Sequence, residues 1–444
     1  MAPRICLQGG QVFDGENWIE NGSVLFEENG PIILVSSGGA TAYAEKCYNL
    51  GDFLIIPGLV DLHSDALEKY IEIRPGVFFD EQFALENLDR RAAGCGITTI
   101  YHSISFGDED LGIRSPSQAE SLVRLVHQFA GSPFASIRHK IHGRYEIGSE
   151  DAFTILIDLL KKGFFDLVSI MDHTPGQGQF NSLESYLNYY SGTLGIDEEH
   201  VVSMALCKQL KRKQGWQRVR EFARSVQSAA IPLLSHDDDS PEKVSFVRRL
   251  GAVACEFPVR MDAAKEAAGS GMKVFMGAPN AVRGRSSNNN LRACDAVLAG
   301  ICHGLVSDYY PETLIQAPFV LAQDPRLPLH ETIRLVTSGP GDFAGVQEGI
   351  GRLKPGSPAD IVVLDLGFAS GIDQISRRFS FRTEKAKLEP WVRVYQTWAS
   401  GRLVYQGPCG KGSKFLNCWM DASKQESQAS EKEKNITEKE AVLR

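Results

Sequence analysis

The stretch Ile55-Ile56-Pro57-Gly58-Leu59-Val60-Asp61-Leu62-His63-Ser64-Asp65 is an apolar run that ends in a histidine and a carboxylate two residues apart. It predicts a β-strand over Leu54–His63. Residues i and i+2 of a strand point to the same face, so His63 and Asp65 can direct a nitrogen and an oxygen at one point. Imidazole and carboxylate both bind zinc or manganese well. An isolated His-x-Asp pair is more often an ordinary strand end, so the interpretation depends on similar strand ends elsewhere in the chain.

The middle of the chain, residues 57–344, alternates apolar strand-like runs with helical stretches, the pattern of βα units around a parallel sheet. Eight strands are predicted, at Leu54–His63, Ile97–Ser103, His139–Glu146, Asp166–His173, Ile231–His236, Ala252–Phe257, Lys273–Ala278 and Leu305–Asp308. Helices are predicted between them, at Glu81–Ala93, Ser117–Phe129, Glu150–Lys162, Trp216–Ser228, Pro241–Leu250, Asp262–Ala268 and Leu291–Ala299. This alternation predicts an α/β fold, a (β/α)₈ TIM-type barrel. A doubly wound open sheet is the alternative layout, but the Gly-x-Gly-x-x-Gly fingerprint that would favour it is absent.

The two chain ends contain short strand-like runs and turns. They predict a small composite β-domain formed from both chain ends, residues 1–56 and 345–410, beside a hydrolase barrel of residues 57–344. The long connection at 178–214, partly helical at Asn181–Tyr190 and His200–Lys213, is interpreted as an active-site insertion. Residues 421–444 combine mixed charge with few apolar side chains, which predicts a disordered tail.

Composition narrows the class of protein. The chain is 43% hydrophobic and has no apolar run of the length that a membrane helix requires. Its net charge of −8 argues against nucleic-acid binding, which depends on a basic surface, but allows a small phosphorylated ligand held by local cations. Nine scattered cysteines without Cys-x-x-Cys spacing argue against a disulfide framework, and no secretory signal is evident, so we expect a cytoplasmic protein.

Acidic and imidazole residues recur at the ends of the other predicted strands. In a barrel all carboxyl strand ends meet at one face, so these side chains would converge there. The predicted cluster comprises His63, Asp65, Glu146, His173, His236 and Asp308. Three imidazoles and three carboxylates suit one or two divalent metal ions, zinc before manganese, with Glu146 as a bridge. Each residue also has a plain structural alternative: His173 can be a hydrogen-bonded core histidine, and Asp308 or Asp237 a helix N-cap.

Several segments carry a resemblance to a known family. Ile56–His63 is similar to the first-strand signature of the amidohydrolase superfamily, and Gly351–Val362 resembles its returning C-terminal β-segment. Within that superfamily, further motifs resemble the diphosphatases of the carbon–phosphorus lyase pathway. These motifs are His63–Lys69 with Arg74–Val77, Met171–Gln177, Ser235–Asp238, Met276–Gly284 and Ser307–Pro311.

The resemblance implies an activity and roles for particular residues. Those diphosphatases cleave α-D-ribose 1-methylphosphonate 5-triphosphate to the 5-phosphate and pyrophosphate, so the expected partner is a small phosphorylated sugar, with no nucleic acid and no membrane. Asp308 is expected to hold the attacking water and accept its proton. Large barrel enzymes are often symmetric oligomers, so a homo-oligomeric state is one expectation for this chain. The cations expected to bind substrate are Lys69, Arg74, Arg144 and Arg283, with Arg285, Gln177 and Gln179 as lesser candidates.

The sequence departs from the diphosphatase pattern at three positions. Ser64 and Ala66 replace a threonine and an asparagine of the first motif, and Ser287 stands where those proteins tend to have a histidine. The six proposed ligands are all retained. Two alternatives therefore stay open beside the diphosphatase: a cyclic-amide or deacylase hydrolase with the same barrel and metal, and a non-catalytic amidohydrolase-like scaffold.

Overall fold

Two β-sheets organise the chain, one with eight parallel strands and one with nine strands of mixed direction. The computed structural model describes residues 2–38, 40–51, 53–107, 114–176, 178, 182–193, 196–286, 290–344, 349–366, 392–408 and 419–421. The strands are β1 (Arg4–Phe13), β2 (Trp18–Glu27), β3 (Ile32–Ser37), β4 (Lys46–Asn49), β5 (Leu54–Pro57), β6 (Leu59–Ser64), β7 (Glu72–Arg74), β8 (Val77–Phe78), β9 (Ile97–Phe106), β10 (Arg138–Glu146), β11 (Leu167–Met171), β12 (Leu233–His236), β13 (Ala252–Glu256), β14 (Lys273–Gly277), β15 (Gly304–Val306), β16 (Ile361–Asp365), β17 (Arg393–Ala399), β18 (Arg402–Gln406) and β19 (Trp419–Asp421).

Helices follow most strands of the eight-stranded sheet. The α-helices are α1 (Ala66–Ile71), α2 (Glu81–Gly94), α3 (Pro116–Ala130), α4 (Glu150–Lys161), α5 (Leu183–Leu187), α6 (Glu198–Ser228), α7 (Pro241–Arg249), α8 (Met261–Gly269), α9 (Ala278–Arg283), α10 (Ala293–Leu298), α11 (Glu312–Leu321), α12 (Leu329–Arg334) and α13 (Ser338–Ala344). A 3₁₀ helix spans Ala40–Tyr43 and a π-helix spans Asn188–Thr193. Among the described residues, no helix is both long enough and apolar enough to cross a bilayer.

The eight-stranded sheet is the predicted (β/α)₈ barrel, and that prediction is confirmed. Its strands are β6 and β9 to β15, hydrogen-bonded in chain order. Two backbone hydrogen bonds close the barrel. The backbone nitrogen of Asp308 donates to the carbonyl oxygen of His63 at 2.9 Å, and the backbone nitrogen of Asp65 donates to the carbonyl oxygen of Asp308 at 2.7 Å. Apolar side chains from the strands, such as Leu62, Leu167 and Phe275, fill the interior, as expected for a barrel of this size.

The nine-stranded sheet joins the two ends of the chain, which confirms the predicted composite β-structure. Five of its strands, β1 to β5, come from the N-terminal end and β16 to β19 come from the C-terminal end. Antiparallel pairing of β5 with β16 and parallel pairing of β5 with β1 link the two groups. The limits of the two domains stay a prediction. The predicted tail lies outside the described residues from position 422 onwards, whereas β19 pairs with β4.

The prediction of one strand over Leu54–His63 is wrong, because the chain changes sheets at Gly58. β5 belongs to the composite sheet and β6 to the barrel. The backbone nitrogen of Gly58 donates to the Asp360 oxygen at 2.9 Å. A Cβ atom at Gly58 would lie 2.2 Å from Oγ1 of Thr98, so only glycine fits at this crossing.

The prediction of separate helices at His200–Lys213 and Trp216–Ser228 is also wrong. The two merge into α6, a single helix of 31 residues. The apparent break at Gly215 is a packing contact, because a Cβ atom there would lie 2.3 Å from the Ile147 carbonyl oxygen. The glycine therefore lets α6 approach the segment after β10 closely.

Candidate functional site

The carboxyl ends of the barrel strands bring the six predicted ligands to one face. His63 lies in β6, while Glu146 and His236 are the last residues of β10 and β12. Asp65, His173 and Asp308 lie just beyond strand ends, and Asp308 forms an isolated parallel bridge with Ser64. Five of the six line one cavity of about 350 Å³, and Glu146 lies behind it.

The first group of potential ligand atoms belongs to His63, Asp65 and Asp308, whose atoms all lie within 4.8 Å of one another. Nε2 of His63 is 3.4 Å from Oδ1 of Asp65. The two backbone bonds that close the barrel hold all three residues, so their spacing is set by the fold. Asp308 has a left-handed backbone with φ of 56°, which is uncommon outside glycine and frequent at functional sites.

The second group comprises His173, His236 and Asp237. Oδ2 of Asp237 lies 3.0 Å from Nδ1 of His236 and 3.6 Å from Nε2 of His173. Burial raises the pKa of Asp237, but the two imidazoles hold it below its usual range. The sequence interpretation weighed Asp237 only as a helix cap, although it directly follows a predicted strand that ends in histidine.

Glu146 supports the second group from behind. Its carboxylate accepts hydrogen bonds from Nδ1 of His173 at 2.7 Å and from the His173 backbone nitrogen at 3.2 Å. Burial raises the pKa of Glu146, but His173 and Lys208 lower it to about 2, so the carboxylate is ionised. This contact leaves Nε2 of His173 facing Asp237. Within the described residues Glu146 joins neither group, and its predicted role as a bridging ligand stays a prediction.

Deeper in the barrel, Glu256 contacts two histidines. Its Oε1 lies 3.1 Å from Nδ1 of His63, and its Oε2 lies 3.7 Å from Nε2 of His142. All three side chains are buried. Burial raises the pKa of Glu256, but His142 and His63 lower it to about 2. The sequence interpretation missed Glu256, although it sits at the end of the predicted strand Ala252–Phe257 and the same strand-end criterion would have selected it.

Arg144 lies between the first two groups. Its Nη1 donates to Oδ1 of Asp65 at 2.7 Å and its Nη2 donates to Nε2 of His236 at 3.2 Å. The side chain is buried, so both contacts are shielded from solvent. The guanidinium therefore links a carboxylate of one group to an imidazole of the other.

Some of the other predicted substrate-binding cations line the cavity, and one does not. Lys69 and Arg283 line the cavity together with Arg285 and with Arg114, which the sequence interpretation did not select. Arg114 pairs with Glu68 at 2.6 Å. Arg74 lies exposed in the hairpin of β7 and β8 and does not line the cavity, so its role stays a prediction. Gln177, Gln179 and Ser287 lie outside the described residues.

The electrostatics of this face suit a cation. Burial, and next the Asp65 carboxylate, raise the pKa of Asp308 to about 7. Burial lowers the pKa of His63, but Glu256 together with Asp65 raises it to about 10. The same negative surroundings that hold a proton on His63 would favour a metal ion in its place.

Unpartnered polar atoms provide a test of whether a metal fits. Among the described residues, Nε2 of His63, Nδ1 of His236 and Oδ2 of Asp237 are buried and make no hydrogen bond. A buried polar atom without a partner is costly, and these nitrogen and oxygen donors are of the type that zinc and manganese bind. The residues present therefore fit one or two divalent ions.

Known proteins are similar to this chain in sequence and architecture. A model described as the amidohydrolase family matches residues 303–405. The alpha-D-ribose 1-methylphosphonate 5-triphosphate diphosphatase of Escherichia coli (strain K12) is 32% identical over 345 residues, which cover 74% of this chain and 89% of that protein. The chain belongs to the amidohydrolase family.

Other relatives extend the likeness along the chain. A dihydroorotase of Syntrophus aciditrophicus (strain SB) is 23% identical over 456 residues, covering 91% of this chain and 99% of the relative. The crystal structure of dihydropyrimidinase from Brevibacillus agri NCHU1002 has a TM-score of 0.58 at 12% identity and covers 91% of this chain and 95% of that chain. This structural likeness supports the fold alone. Amidohydrolases are hydrolases that generally use divalent metals, which agrees with the donor atoms gathered here.

Proposed function

We propose that this amidohydrolase is a metal-dependent diphosphatase that cleaves α-D-ribose 1-methylphosphonate 5-triphosphate to the 5-phosphate and pyrophosphate, a step of phosphonate catabolism. The observation that carries the proposal is the composition of one cavity. It combines the carboxylates and imidazoles of both ligand groups with Lys69, Arg114, Arg144, Arg283 and Arg285. The Escherichia coli relative that is 32% identical is a diphosphatase of this compound.

The proposed metal ligands are the strand-end side chains. Asp65, His63 and Asp308 would hold one ion, and His173, His236 and Asp237 a second, with zinc the expected metal and manganese the alternative. A divalent ion held there would lower the pKa of water from 15.7 to about 7 and offset phosphate charge.

Asp308 is the proposed base. Its carboxylate lies in the cavity, and in the metal-free protein burial and the Asp65 carboxylate raise its pKa above the usual value, which favours acceptance of a proton. Water loses a proton to Asp308 as its oxygen bonds to the α-phosphorus. The bond from that phosphorus to the bridging oxygen breaks, and pyrophosphate leaves with the electron pair.

The cations of the cavity would position the triphosphate. Phosphoryl transfer depends mainly on positioning and on charge stabilisation at the phosphate oxygens. Arg144 is held by Asp65 and His236, so its guanidinium is already oriented beside the proposed reacting centre. Lys69 and Arg283 line the same cavity and would contact the outer phosphates.

Pyrophosphate release by the purified protein tests the proposal. We expect release from ribose 1-methylphosphonate 5-triphosphate that is lost with a chelator and restored by zinc or manganese. Asp308→Asn should lower kcat by about 10²- to 10⁴-fold, the range for general base catalysis. Asp324→Asn, which changes an acid paired with Arg326, is the matched control and should keep its activity.

The same assays separate the alternatives. The dihydroorotase likeness over 91% of the chain favours a cyclic-amide hydrolase, which would turn over dihydroorotate and release no pyrophosphate. A non-catalytic scaffold would bind no metal and turn over neither compound. Either outcome contradicts the diphosphatase proposal.

A further inference from the structure

A second groove adjoins the cavity that holds the proposed reacting centre. The groove has a volume of about 740 Å³. It is built by the segments that follow β13 and β14, the loops that give barrel enzymes their specificity. Cavity and groove share five lining residues: Val259, Arg285, Ser286, Asn290 and Leu291.

The boundary between the cavity and the groove is fixed by hydrogen bonds. The backbone nitrogen of Leu291 donates to the Val259 oxygen at 2.9 Å. The Asn280 side chain donates to the Leu291 oxygen and accepts from the Ala293 nitrogen, each at 3.0 Å. The two loops are therefore joined where a ligand would pass from cavity to groove.

The groove has an excess of positive charge in a chain whose net charge is −8. Arg260 forms two bonds to Asp262, at 3.0 and 2.6 Å, and Arg292 forms two bonds to Asp295, at 2.7 and 2.6 Å. These pairs neutralise both carboxylates of the lining.

Two cations remain after that pairing. Lys265 and Arg285 line the groove and form no ion pair within the described part of the chain. Arg285 also faces the cavity, whereas Lys265 lines only the groove. A ligand that leaves the cavity would therefore meet positive charge first at Arg285 and then at Lys265.

We propose that this groove is a second anion subsite, which binds the phosphonate end of the sugar while the triphosphate lies in the cavity. The inference rests on the proposed diphosphatase function and deepens it. A methylphosphonate ester carries a negative oxygen and a methyl group. Lys265 offers the charge for the first, and the apolar side chains of Val259, Met261 and Leu291 offer contact for the second.

A pair of substrates tests the subsite. Pyrophosphate release is measured with ribose 1-methylphosphonate 5-triphosphate and with ribose 5-triphosphate, which lacks the phosphonate. Lys265→Ala should lower kcat/KM for the first by about 5- to 20-fold, as for loss of a partly solvated charge-assisted hydrogen bond, and thereby bring the two substrates closer. Lys265→Arg should restore the preference. Equal effects on both substrates, or none on either, would overturn the subsite.

Two control variants remove other positive charges, one inside the groove and one outside it. Arg260→Ala removes a cation of the groove that is already paired with Asp262 and should reduce the preference less than Lys265→Ala. Lys273→Ala removes an exposed cation at the amino end of β14, on the opposite face of the barrel, and should leave the preference unchanged. A loss of preference in Lys273→Ala equal to that in Lys265→Ala would indicate a general charge effect and contradict the subsite.

Direct binding separates failure of the subsite from failure of the diphosphatase proposal. Ribose 1-methylphosphonate, which has no triphosphate, is titrated into the wild type and into Lys265→Ala by calorimetry. We expect weaker binding by the variant, whether or not the wild type releases pyrophosphate. Identical binding isotherms, or no binding to the wild type, would overturn the subsite even if the diphosphatase activity is found.

Discussion

Nδ1 of His63 and Oε1 of Glu256 lie 3.1 Å apart inside the barrel, 193 positions apart in the chain. The carboxylate accepts the Nδ1 proton and so determines that Nε2 faces Asp65 and the cavity. Histidine ligands of metals commonly have such a carboxylate behind them, which fixes the tautomer and the ring orientation. Glu256 is therefore expected to orient His63 toward a metal.

Replacing Glu256 by Gln should weaken the proposed metal site without unfolding the barrel. The amide is uncharged and presents an NH₂ group toward one of the two histidines, so His63 loses its fixed orientation. Loss of such a partner typically lowers metal affinity by about 10- to 100-fold. Zinc titration of the metal-free variant, followed by elemental analysis, measures the change.

The control for this experiment is Glu266→Gln on α8. Glu266 accepts a hydrogen bond from Ser245 at 3.0 Å and does not contact the ligand groups. The zinc affinity of the Glu266→Gln variant should equal that of the wild type. Wild-type affinity in Glu256→Gln, with circular dichroism showing a folded protein, would contradict the orienting role.

Arg144 is expected to be sensitive even to lysine. Its planar fork contacts Asp65 and His236 at once, and a single ammonium on a flexible stem cannot maintain both contacts. We expect Arg144→Lys to lower kcat/KM for pyrophosphate release by about 100-fold, as for a displaced positioning group.

The matched control is Arg138→Lys, at the amino end of the same strand. Arg138 bonds Thr99 and Asp360, away from the cavity. Steady-state kinetics on both variants decide the matter. Similar activity in Arg144→Lys and the wild type would show that the double contact is not required.

The carboxyl strand ends could be located from sequence because the alternation of strands and helices sets the barrel, and the barrel brings strand ends together. This criterion selected His63, His173, His236 and Asp308, which line one cavity. It did not reveal which atoms face each other. Asp237 and Glu256 also lie at predicted strand ends, so the same criterion could have included them, but the contacts of Asp237 with His173 and of Glu256 with His63 join different strands and are not visible in the sequence.

The clearest errors in the predicted bounds of strands and helices occurred at glycines. At Gly58 an apolar run crosses between two sheets, and at Gly215 a helix continues through a residue that resembled a break. In both cases glycine is required by a close tertiary contact rather than by the local backbone. Local periodicity contains no information on such contacts, so the sequence interpretation could not distinguish them.

Gly58→Ala should therefore destabilise the whole protein. The new Cβ would lie 2.2 Å from Oγ1 and 2.5 Å from Cγ2 of the buried Thr98 side chain, on the neighbouring barrel strand β9. Overpacking of this kind costs about 1–3 kcal/mol of unfolding free energy, measurable by urea denaturation. Thr98→Ala removes the two nearest atoms, Oγ1 and Cγ2, but keeps the Thr98 Cβ at 2.8 Å, so it should recover part of the loss in the double variant. Additive losses would indicate that Thr98 is not the obstacle.

The stability of the barrel wall should depend on pH through His102. This buried histidine stacks on His139, and its Nε2 lies 2.8 Å from Nδ1 of His139, whose Nε2 lies 3.0 Å from Oδ1 of Asp89. Burial, and next the neighbouring His139, lower the pKa of His102 well below its usual range. The unfolded chain still binds a proton near pH 6.5. The contribution of His102 is therefore complete above that pH and declines as the pH falls below it, by up to about 1.4 kcal/mol per pH unit.

Urea denaturation at several pH values between about 7.5 and 5 measures this slope. This range is chosen because it brackets the usual histidine pKa of about 6.5. His102→Asn cannot titrate, so its unfolding free energy should fall less steeply with decreasing pH than that of the wild type, even if the variant is less stable throughout. His200→Asn removes an exposed histidine on α6 and should retain the wild-type slope. Asp89 also makes the stability sensitive to acid. Burial raises its pKa, but the hydrogen bond from His139 has the opposite effect, and the net result is a lowered pKa. The comparison therefore rests on the difference in slope between variant and wild type. If the unfolding free energies of His102→Asn and the wild type show the same pH dependence, His102 takes up its proton in the folded barrel. That result would contradict the prediction that its buried imidazole stays neutral.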